Sequence, residues 1–261
     1  MKRRQLFEIE DQPWCPKVIR DGVTDLLEMN SRITRHYTRL APHLKKALKK
    51  TGRSKIIDLC SGGGGPWLKL YKKFQDDGFP VEVLLTDFYP NLDALKHING
   101  MTAKKVRVHN APVDATKVPP DLKGFRTLFT ALHHFEPEKA RAIIADAVKN
   151  KEGIAVFEFT ERGVLAISMM FFIPFFAWAT TPFMRPFKWK RIFFTYIIPA
   201  ILFTAWFDGI ISCLRTYSLE EMESLTKEFD ADYHFETGKQ RLIPSPVPVT
   251  WLIGWPEKSF S

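Results

Sequence analysis

A chain of 261 residues, 45% hydrophobic and 26% charged, is long enough for one large domain or for a domain with an appendage. This ordinary composition, with 14 glycines and 18 prolines, excludes disordered, collagen-like and coiled-coil proteins. The cysteines Cys15, Cys60 and Cys213 lie far apart without a CxxC motif, and no signal-peptide pattern follows Met1. We therefore expect neither a disulfide framework nor a zinc site, and we expect a reducing, cytoplasmic location.

The net charge of +9 is concentrated between residues 29 and 57, which contain nine Lys or Arg and no Asp or Glu. Apolar residues recur there every three or four positions, and Pro42 divides the stretch into two helices. Two interpretations are open: a solvated face packed on the neighbouring domain, and a surface for anionic lipid headgroups. No nucleic-acid-binding motif accompanies the charge, so nucleic acid is not an expected partner.

Strand-like runs alternate with helical patterns from residue 55 to residue 159, and this alternation predicts a parallel sheet with helices on both faces. A capping-box pattern at Ser218 then predicts a short helix, and two strand-like runs joined by a Pro-rich turn predict an antiparallel hairpin. The predicted strands are 55–60, 81–86, 105–109, 125–130, 153–159, 233–242 and 247–255. The predicted fold is α/β: a Rossmann-like, doubly wound, mostly parallel seven-stranded sheet with an antiparallel C-terminal hairpin and a helical hydrophobic insert.

A run of four glycines, Gly62 to Gly65, separates the first predicted strand from a helix that opens at Pro66. Glycines let the main chain approach a ligand closely, and the helix directs its first N–H groups toward that ligand. No Lys-Ser or Lys-Thr pair follows, which excludes a P-loop. Asp58 stands inside the first strand and Asp87 closes the second, whereas dinucleotide folds begin their glycines directly at the strand end.

This placement of acids and glycines resembles the first motif of class I S-adenosylmethionine-dependent methyltransferases, and the final hairpin agrees with that family. The resemblance covers roughly residues 55–162 and 215–261. It implies that S-adenosylmethionine is the cofactor and that Asp58 lines its methionine part. It also implies that Asp87 accepts hydrogen bonds from both ribose hydroxyls and that Asp114 contacts the adenine. The cofactor-binding residues that it implies are Asp58, Leu59, Cys60, Gly62, Gly64, Asp87, Phe88, Asp114, Ala115 and Thr130.

Two positions depart from the family pattern. Cys60 stands where the first glycine is usual, a substitution that is tolerated if the backbone there has φ below zero. Arg126 occupies a place in the fourth strand where an acid is common. Together they suggest a divergent subgroup.

Candidate general bases follow the fourth and fifth strands, at the sheet edge where ligands bind in open α/β sheets. They are His133, His134 and Glu158, with Glu161 as a further candidate. The alternatives are structural: packing or hydrogen bonding for the histidines, and an ion pair with Arg162 for Glu161. Because a sulfonium methyl group is already activated, an amine or carbon acceptor needs no protein base. We expect no metal site.

The segment from residue 163 to residue 207 holds 14 of the 35 aromatic residues. Its two uncharged arms, Gly163–Met184 and Ile192–Phe207, flank a basic tip, Arg185–Arg191. Three interpretations compete: a hairpin that dips into one leaflet, a two-pass membrane anchor, and a hydrophobic lid over a substrate cavity. Asp208 and the short second arm disfavour the two-pass anchor.

We therefore expect a methyltransferase that acts on a lipophilic small molecule or lipid, peripheral or monotopic at the inner face of an anionic membrane. Two alternatives stay open: a membrane-associated binding protein with this fold and no turnover, and an NAD-dependent oxidoreductase. The predicted division of the chain is an N-terminal helical extension (1–54), a cofactor-binding core (55–162), the insert (163–214) and a C-terminal helix and hairpin (215–261).

Overall fold

The computed structural model describes residues 1–229, 233–242 and 245–257, and it contains one seven-stranded sheet. The strand order is β3-β2-β1-β4-β5-β7-β6; β1 to β5 are parallel, and β7 runs antiparallel to both of its neighbours. The strands are β1 (Lys55–Leu59), β2 (Glu82–Leu85), β3 (Val106–Val108), β4 (Phe125–Phe129), β5 (Ile154–Glu158), β6 (Tyr233–Gln240) and β7 (Val249–Pro256). The predicted fold class is confirmed; residues 243 and 244 of the predicted Pro-rich turn lie outside the described residues.

Ten α-helices are assigned within the described residues. They are α1 (Lys17–Thr34), α2 (Ala41–Thr51), α3 (Trp67–Asp76), α4 (Leu92–Met101), α5 (Pro137–Lys149), α6 (Val164–Met170), α7 (Ile173–Thr180), α8 (Trp189–Tyr196), α9 (Ala200–Arg215) and α10 (Leu219–Ser224). A 3-10 turn, His36–Leu40, joins α1 to α2. Ser218 caps α10 through the predicted capping box, with Glu221 as its reciprocal partner.

Both faces of the sheet are covered, which is why the parallel strands read as nearly continuous apolar runs. Apolar side chains of α2, α3 and α4 pack on one face, where Trp67 and Phe74 are fully buried. Those of α5 and α10 pack on the other face, around Ile143, Ile144 and Met222. Arg126, one of the departures from the family pattern, is buried and forms an ion pair with Asp146 of α5.

Helix α1 packs on the insert, where it contacts α7, α8 and α9. The buried carboxylate of Asp25 anchors this contact, because it pairs with Arg191 and Lys188 of the insert tip. Asn91, just before α4, donates to the same carboxylate over 2.9 Å. The N-terminal helix, the insert and the sheet domain therefore meet at one buried acid.

The part of the basic stretch that forms α2 lies against the sheet domain. Helix α2 packs on β7, and its Lys45 and Lys46 form ion pairs with Asp77 and Glu236 of the sheet domain. This pairing favours a solvated face on the neighbouring domain for α2, rather than a lipid-headgroup surface.

Much of the insert is exposed. The helical stretch Val164–Phe183 is long and apolar enough to cross a membrane, and most of it lies on the surface. Helices α8 and α9 pass the same test only when counted together, and they are bent by 74° relative to one another. Asp208 and Arg215 of α9 are buried against other parts of the protein, so α9 is a packed helix.

Candidate functional site

A cavity of about 1060 Å³ lies at the carboxyl ends of the parallel strands. One side, the strand-end wall, consists of residues that follow β1, β2, β3 and β4. The other side, the helical wall, consists of residues 5–7 and 10–12, part of α1 and the inner surface of the insert. Of the residues expected from sequence, nine line the cavity: Cys60, Gly62, Asp87, Phe88, Asp114, Ala115, Thr130, His133 and His134. Asp58, Leu59, Gly64 and Glu158 are not among its lining residues.

The glycine loop adopts a conformation that glycine tolerates best. Gly62, Gly64 and Gly65 have φ values of 52°, 101° and 48°. A Cβ atom on Gly63 would lie 2.7 Å from the carbonyl oxygen of Thr24, and one on Gly64 would lie 2.0 Å from a methyl group of Ile98. The loop therefore needs glycines for close packing against α1 and α4 as well as for any ligand.

Cys60 is in the left-handed region, with φ of 56°. The condition for easy tolerance of cysteine at this position, a φ below zero, is therefore not met. Cys60 therefore has a backbone conformation that is uncommon for residues other than glycine. The residue lines the cavity. Burial raises the pKa of its thiol well above the ordinary value.

Asp58 lies beneath the loop rather than in the cavity wall, which corrects the expectation that it contacts a ligand. Its two carboxylate oxygens accept hydrogen bonds from the hydroxyls of Thr127, over 2.6 Å, and Ser61, over 2.7 Å. Burial raises the pKa of Asp58 to about 7, although both hydrogen bonds oppose that rise. This acid ties β1 and β4 to the glycine loop.

Asp87 is placed as expected. Its Oδ2 accepts the Gly62 N–H over 2.7 Å, and its Oδ1 accepts the Tyr89 N–H over 2.7 Å. Each oxygen has a second lone-pair site for a further donor. Asp114 similarly uses Oδ1 to accept from Thr116, through the backbone N–H and the hydroxyl, and it lines the cavity.

Glu158 is fully buried and holds the segment after β4 in position. Its Oε1 accepts from the backbone N–H groups of Ala131 and Leu132, and its Oε2 lies 2.7 Å from Nδ1 of His133. Since both oxygens have donors, Glu158 orients His133 and is not itself a base that faces the cavity. The other glutamate candidate, Glu161, pairs with Lys239, while its expected partner Arg162 pairs with Glu221.

His134 belongs to a network of charges. Its Nδ1 lies 2.7 Å from Oε2 of Glu8 and 2.8 Å from Oδ1 of Asp11. Burial alone would lower the pKa of His134, but these two carboxylates outweigh it and hold that pKa well above the ordinary value. His134 is thus placed between two carboxylates, and Arg215, 2.8 Å from Asp11, adds a positive charge to the network.

The N-terminal segment supplies site residues that the sequence analysis missed. Glu8, Glu10 and Asp11 lie beside Asp208 of α9, whose carboxylate accepts the backbone N–H groups of Ile9 and Glu10. No sequence signal pointed to these acids, because they have neither a motif nor a fixed spacing from the strands.

Glu8, His133 and His134 also bring three potential metal-ligand atoms within 4.8 Å of one another. The expectation of no metal site takes the acids to be committed to the cofactor or paired with basic neighbours, and it does not include this grouping. Arg215 lies 3.3 Å from Oε2 of Glu8 and places a positive charge at the same carboxylate.

The inner surface of the insert gives the helical wall its apolar character. Met169, Met170, Ile173 and Phe176 line the cavity together with Ala205 of α9. The basic tip takes no part in this wall, because Arg191 and Lys188 are committed to Asp25.

No family model matches the sequence, and no curated protein matches it. Many solved structures share the fold. An O-methyltransferase family 2 protein from Planctomyces limnophilus, in complex with apigenin, is 16% identical with a TM-score of 0.53, and the match covers 89% of this chain. A structure from Rhodobacter sphaeroides named for zinc-dependent alcohol dehydrogenases is 14% identical with a TM-score of 0.53, and the match covers 92% of this chain and 98% of the other.

An O-methyltransferase family protein from Burkholderia thailandensis is 12% identical with a TM-score of 0.47, and the match covers 88% of this chain. The chain spans 59% of the length of the Planctomyces and Burkholderia proteins. The two matches with a TM-score of 0.53 show the fold alone. The chain has the Rossmann-like fold of class I S-adenosylmethionine-dependent methyltransferases, as the sequence predicts.

Proposed function

We propose that this protein is an S-adenosylmethionine-dependent methyltransferase whose acceptor is a lipophilic small molecule or a lipid. The observation that carries the proposal is the single cavity of about 1060 Å³ that joins the strand-end wall to the apolar helical wall. Its volume is at the upper end of the usual range for small-molecule sites, which suits a cofactor and an acceptor side by side.

The residues of the strand-end wall fit S-adenosylmethionine. Asp87 has one open lone-pair site on each oxygen for the two ribose hydroxyls, and Asp114 lines the same cavity, where we assign it to the adenine. The loop around Gly62 faces the methionine part. The cofactor supplies an activated methyl group on a sulfonium, so the protein has to bind, orient and exclude water.

The acidic network supports this assignment electrostatically. Asp11, Asp87 and Asp114 line the cavity, and ionised carboxylates there favour a ligand that carries positive charge. His133 is held by Glu158 with Nδ1 as the donor, which leaves Nε2 as the ring nitrogen available to accept a proton. Nδ1 of His134 is already engaged by Glu8 and Asp11, so His133 is the better candidate for the base.

We further propose that the insert attaches the protein to the inner leaflet of an anionic membrane. Phe172 and Phe175 are 69% and 72% exposed, and Trp178, Trp189 and other large apolar side chains of the insert are exposed with them. Monomeric proteins rarely expose a contiguous apolar surface of this kind without a partner. Arg185 and Lys190 are exposed at the tip, where they face anionic headgroups.

Attachment to one leaflet is favoured over a two-pass anchor. Helix α9 is held inside the protein by Asp208, which accepts from residues 9 and 10, and by Arg215, which pairs with Asp11. Removing such buried charged groups from their partners into lipid would be costly. The same insert forms the apolar wall of the cavity, so the lid and the one-leaflet interpretations are compatible.

Calorimetric titration with S-adenosylhomocysteine tests the cofactor, and transfer of a labelled methyl group from S-adenosylmethionine to a lipid extract tests turnover. We expect binding and a labelled lipophilic product. Binding without transfer would favour the non-catalytic binding protein, and binding of NADH in place of S-adenosylhomocysteine would favour the oxidoreductase.

Flotation with anionic vesicles tests the membrane contact with a matched pair of variants. The triple variant Phe172→Ser, Phe175→Ser and Trp178→Ser removes exposed side chains and should release most of the protein, whereas high salt should release only part of it. The control Phe176→Ser changes the half-buried cavity wall and should still float. A wild-type protein that does not bind vesicles would refute the membrane proposal and leave the lid.

A further inference from the structure

The outer surface of the insert carries a row of aromatic rings that leads to the cavity. Phe171 lies 5.7 Å from Trp206 of α9, and Trp206 lies 6.0 Å from Phe203, measured between ring centroids. Phe203 stacks on Phe207 at 6.0 Å, and Phe207 lies 5.7 Å from Phe7 of the N-terminal segment. Each ring therefore contacts the next, and we call these five residues the aromatic track.

The aromatic track is exposed and uncharged. Its two ends, Phe171 and Phe7, are 54% and 58% exposed. The two arms of the insert that carry the other rings, residues 163–184 and 192–207, contain no Asp, Glu, Lys or Arg. A continuous apolar surface of this kind marks a place where a protein binds an apolar partner.

Phe7 joins the aromatic track to the cavity. It lines the cavity together with its neighbours Gln5 and Leu6, whereas the other four rings of the track are not among the lining residues. The cavity is open to the exterior, and Leu6 is exposed like Phe7. Residues 5–7 therefore form part of the rim of the cavity.

This rim lies beside the segment that carries the candidate base. The side-chain amide of Gln5 donates to the carbonyl oxygen of His134 over 3.4 Å, and Arg3 donates to the carbonyl oxygen of Phe135 over 2.9 Å. His133, which lines the cavity, precedes these two residues. A ligand group that enters over residues 5–7 therefore reaches the cavity on the side of His133.

Helices α6 and α9 separate the aromatic track from the inside of the cavity. Met170 of α6 and Ala205 and Gly209 of α9 line the cavity. A Cβ atom on Gly209 would lie 2.9 Å from Sδ of Met170, so the two helices are closely packed at this point and leave no passage for a hydrocarbon chain. The track meets the cavity at Phe7 instead.

The size of the cavity favours a tail that lies outside it. A volume of about 1060 Å³ is near the upper end for one small-molecule ligand, and the proposed function divides it between the cofactor and the acceptor. The space that remains suits the reacting head group and the first part of a chain. A longer chain has to leave the cavity, and an apolar surface begins at its rim.

We infer that the aromatic track binds the hydrocarbon tail of the acceptor outside the cavity, while the head group enters over residues 5–7 beside His133. The inference rests on the proposed function in taking the acceptor to be lipophilic. It narrows the acceptor to a lipid with a long hydrocarbon chain, because a compact lipophilic molecule would not reach the track.

The test uses 1-hexanol, 1-octanol and 1-decanol, which share a head group and differ in tail length. Their dissociation constants are measured by calorimetry, with and without S-adenosylhomocysteine. The track variant combines Phe7→Ser with Phe207→Ser. The control Phe176→Ser changes the apolar wall inside the cavity, and the control Leu27→Ser changes an exposed cavity-lining residue of α1 outside the track. Thermal unfolding checks that each variant folds.

We expect the affinity of the wild-type protein to rise with tail length, by up to about fourfold for each added methylene group. The track variant should bind 1-hexanol as the wild type does and gain little for 1-decanol. Leu27→Ser should keep the full gain, and Phe176→Ser should weaken all three probes while keeping it. Equal affinity of the wild type for the three probes overturns the inference, and so does a gain that is lost in Phe176→Ser but kept in the track variant.

Trp206 provides a second readout that does not depend on the track variant. The terminal bromine of 10-bromo-1-decanol quenches a tryptophan that it contacts, so quenching should be stronger in the wild type than in Trp206→Phe, and it should saturate. Equal quenching of the two proteins, or quenching that does not saturate, overturns the inference. Failure of the proposed function is separate: S-adenosylhomocysteine that does not bind counts against the methyltransferase, whereas the alkanols are also measured in the cofactor-free protein.

Discussion

The two walls of the cavity are built in opposite ways. The strand-end wall is formed by short segments that directly follow β1, β2, β3 and β4, so its residues are positioned by the parallel sheet itself. The helical wall is formed by segments that lie far apart in the sequence: residues 5–7 and 10–12, α1 and the insert. Ile9 and Asp208, which join two of these segments, are separated by 199 positions. The strand-end wall is positioned by the strands that its residues follow, and the helical wall is positioned by charge pairing between segments that are distant in the sequence.

This difference means that the two walls should respond differently to mutation. Substitutions in the strand-end wall should weaken ligand binding without unfolding the protein. The helical wall depends on buried ion pairs, and loss of one partner there should first lower stability.

The largest effect is expected for Asp25→Ala, which removes the acid that pairs with Arg191 and Lys188. An uncompensated buried arginine should lower the free energy of unfolding by about 3 to 5 kcal/mol, as measured by urea denaturation. Limited proteolysis should show cleavage in the insert tip near Lys188. The double variant Asp25→Leu with Arg191→Met removes both buried charges and should recover much of the loss; equal destabilisation by the single and double variants would contradict this account.

The strand-end wall is tested by Asp87→Ala. Loss of a charge-assisted hydrogen bond of about 1.5 to 3 kcal/mol should weaken S-adenosylhomocysteine binding by more than about tenfold in calorimetry. Asp121→Ala is the control, because Asp121 is an exposed acid outside the cavity and should leave the affinity unchanged. Unchanged affinity in a folded Asp87 variant would remove Asp87 from the site.

A pH-dependent effect is expected at Glu10, in the helical wall. Burial, with Glu8, Asp208 and Asp11 nearby, raises the pKa of Glu10 to about 8, although His134 opposes the rise. The folded protein therefore binds a proton that the unfolded chain releases, and stability falls as pH rises from about 4.5 to 8. Glu10→Gln should be more stable than the wild type by about 1 to 2 kcal/mol at pH 9 and equal to it near pH 4.

Thermal unfolding across this pH range measures the effect. Glu138→Gln, an exposed position on α5, is the control and should show no such divergence. A Glu10 variant whose stability parallels the wild type at every pH would show that the carboxyl ionises without penalty.

The smallest effect is expected in the sheet domain, for Ser218→Ala. The change removes the side-chain cap of α10, whose oxygen accepts the Glu221 N–H over 3.2 Å, and should cost about 1 kcal/mol of stability. Affinity for S-adenosylhomocysteine should not change, because α10 lies outside the cavity. A change in affinity would show that the stability of α10 affects ligand binding at the strand-end wall.

The sequence by itself determined the sheet and the strand-end wall. Alternating apolar runs and helical periods are local signals, and the carboxyl ends of parallel strands meet at one edge, so Asp87, Asp114 and Thr130 converge without further information. Even there, the sequence does not show that the Asp58 carboxylate accepts from the Thr127 and Ser61 hydroxyls, nor that φ of Cys60 is positive.

Only the tertiary structure decided the helical wall. Glu8 and Asp11 reach His134, Asp25 reaches Arg191, and the ring of His36 stacks on Phe159, yet none of these relations has a fixed spacing along the chain. Charge pairing and desolvation depend on distances of a few ångströms between segments that only folding brings together. The surroundings of the three cavity histidines therefore follow from packing, and their identical side chains lie in three different environments.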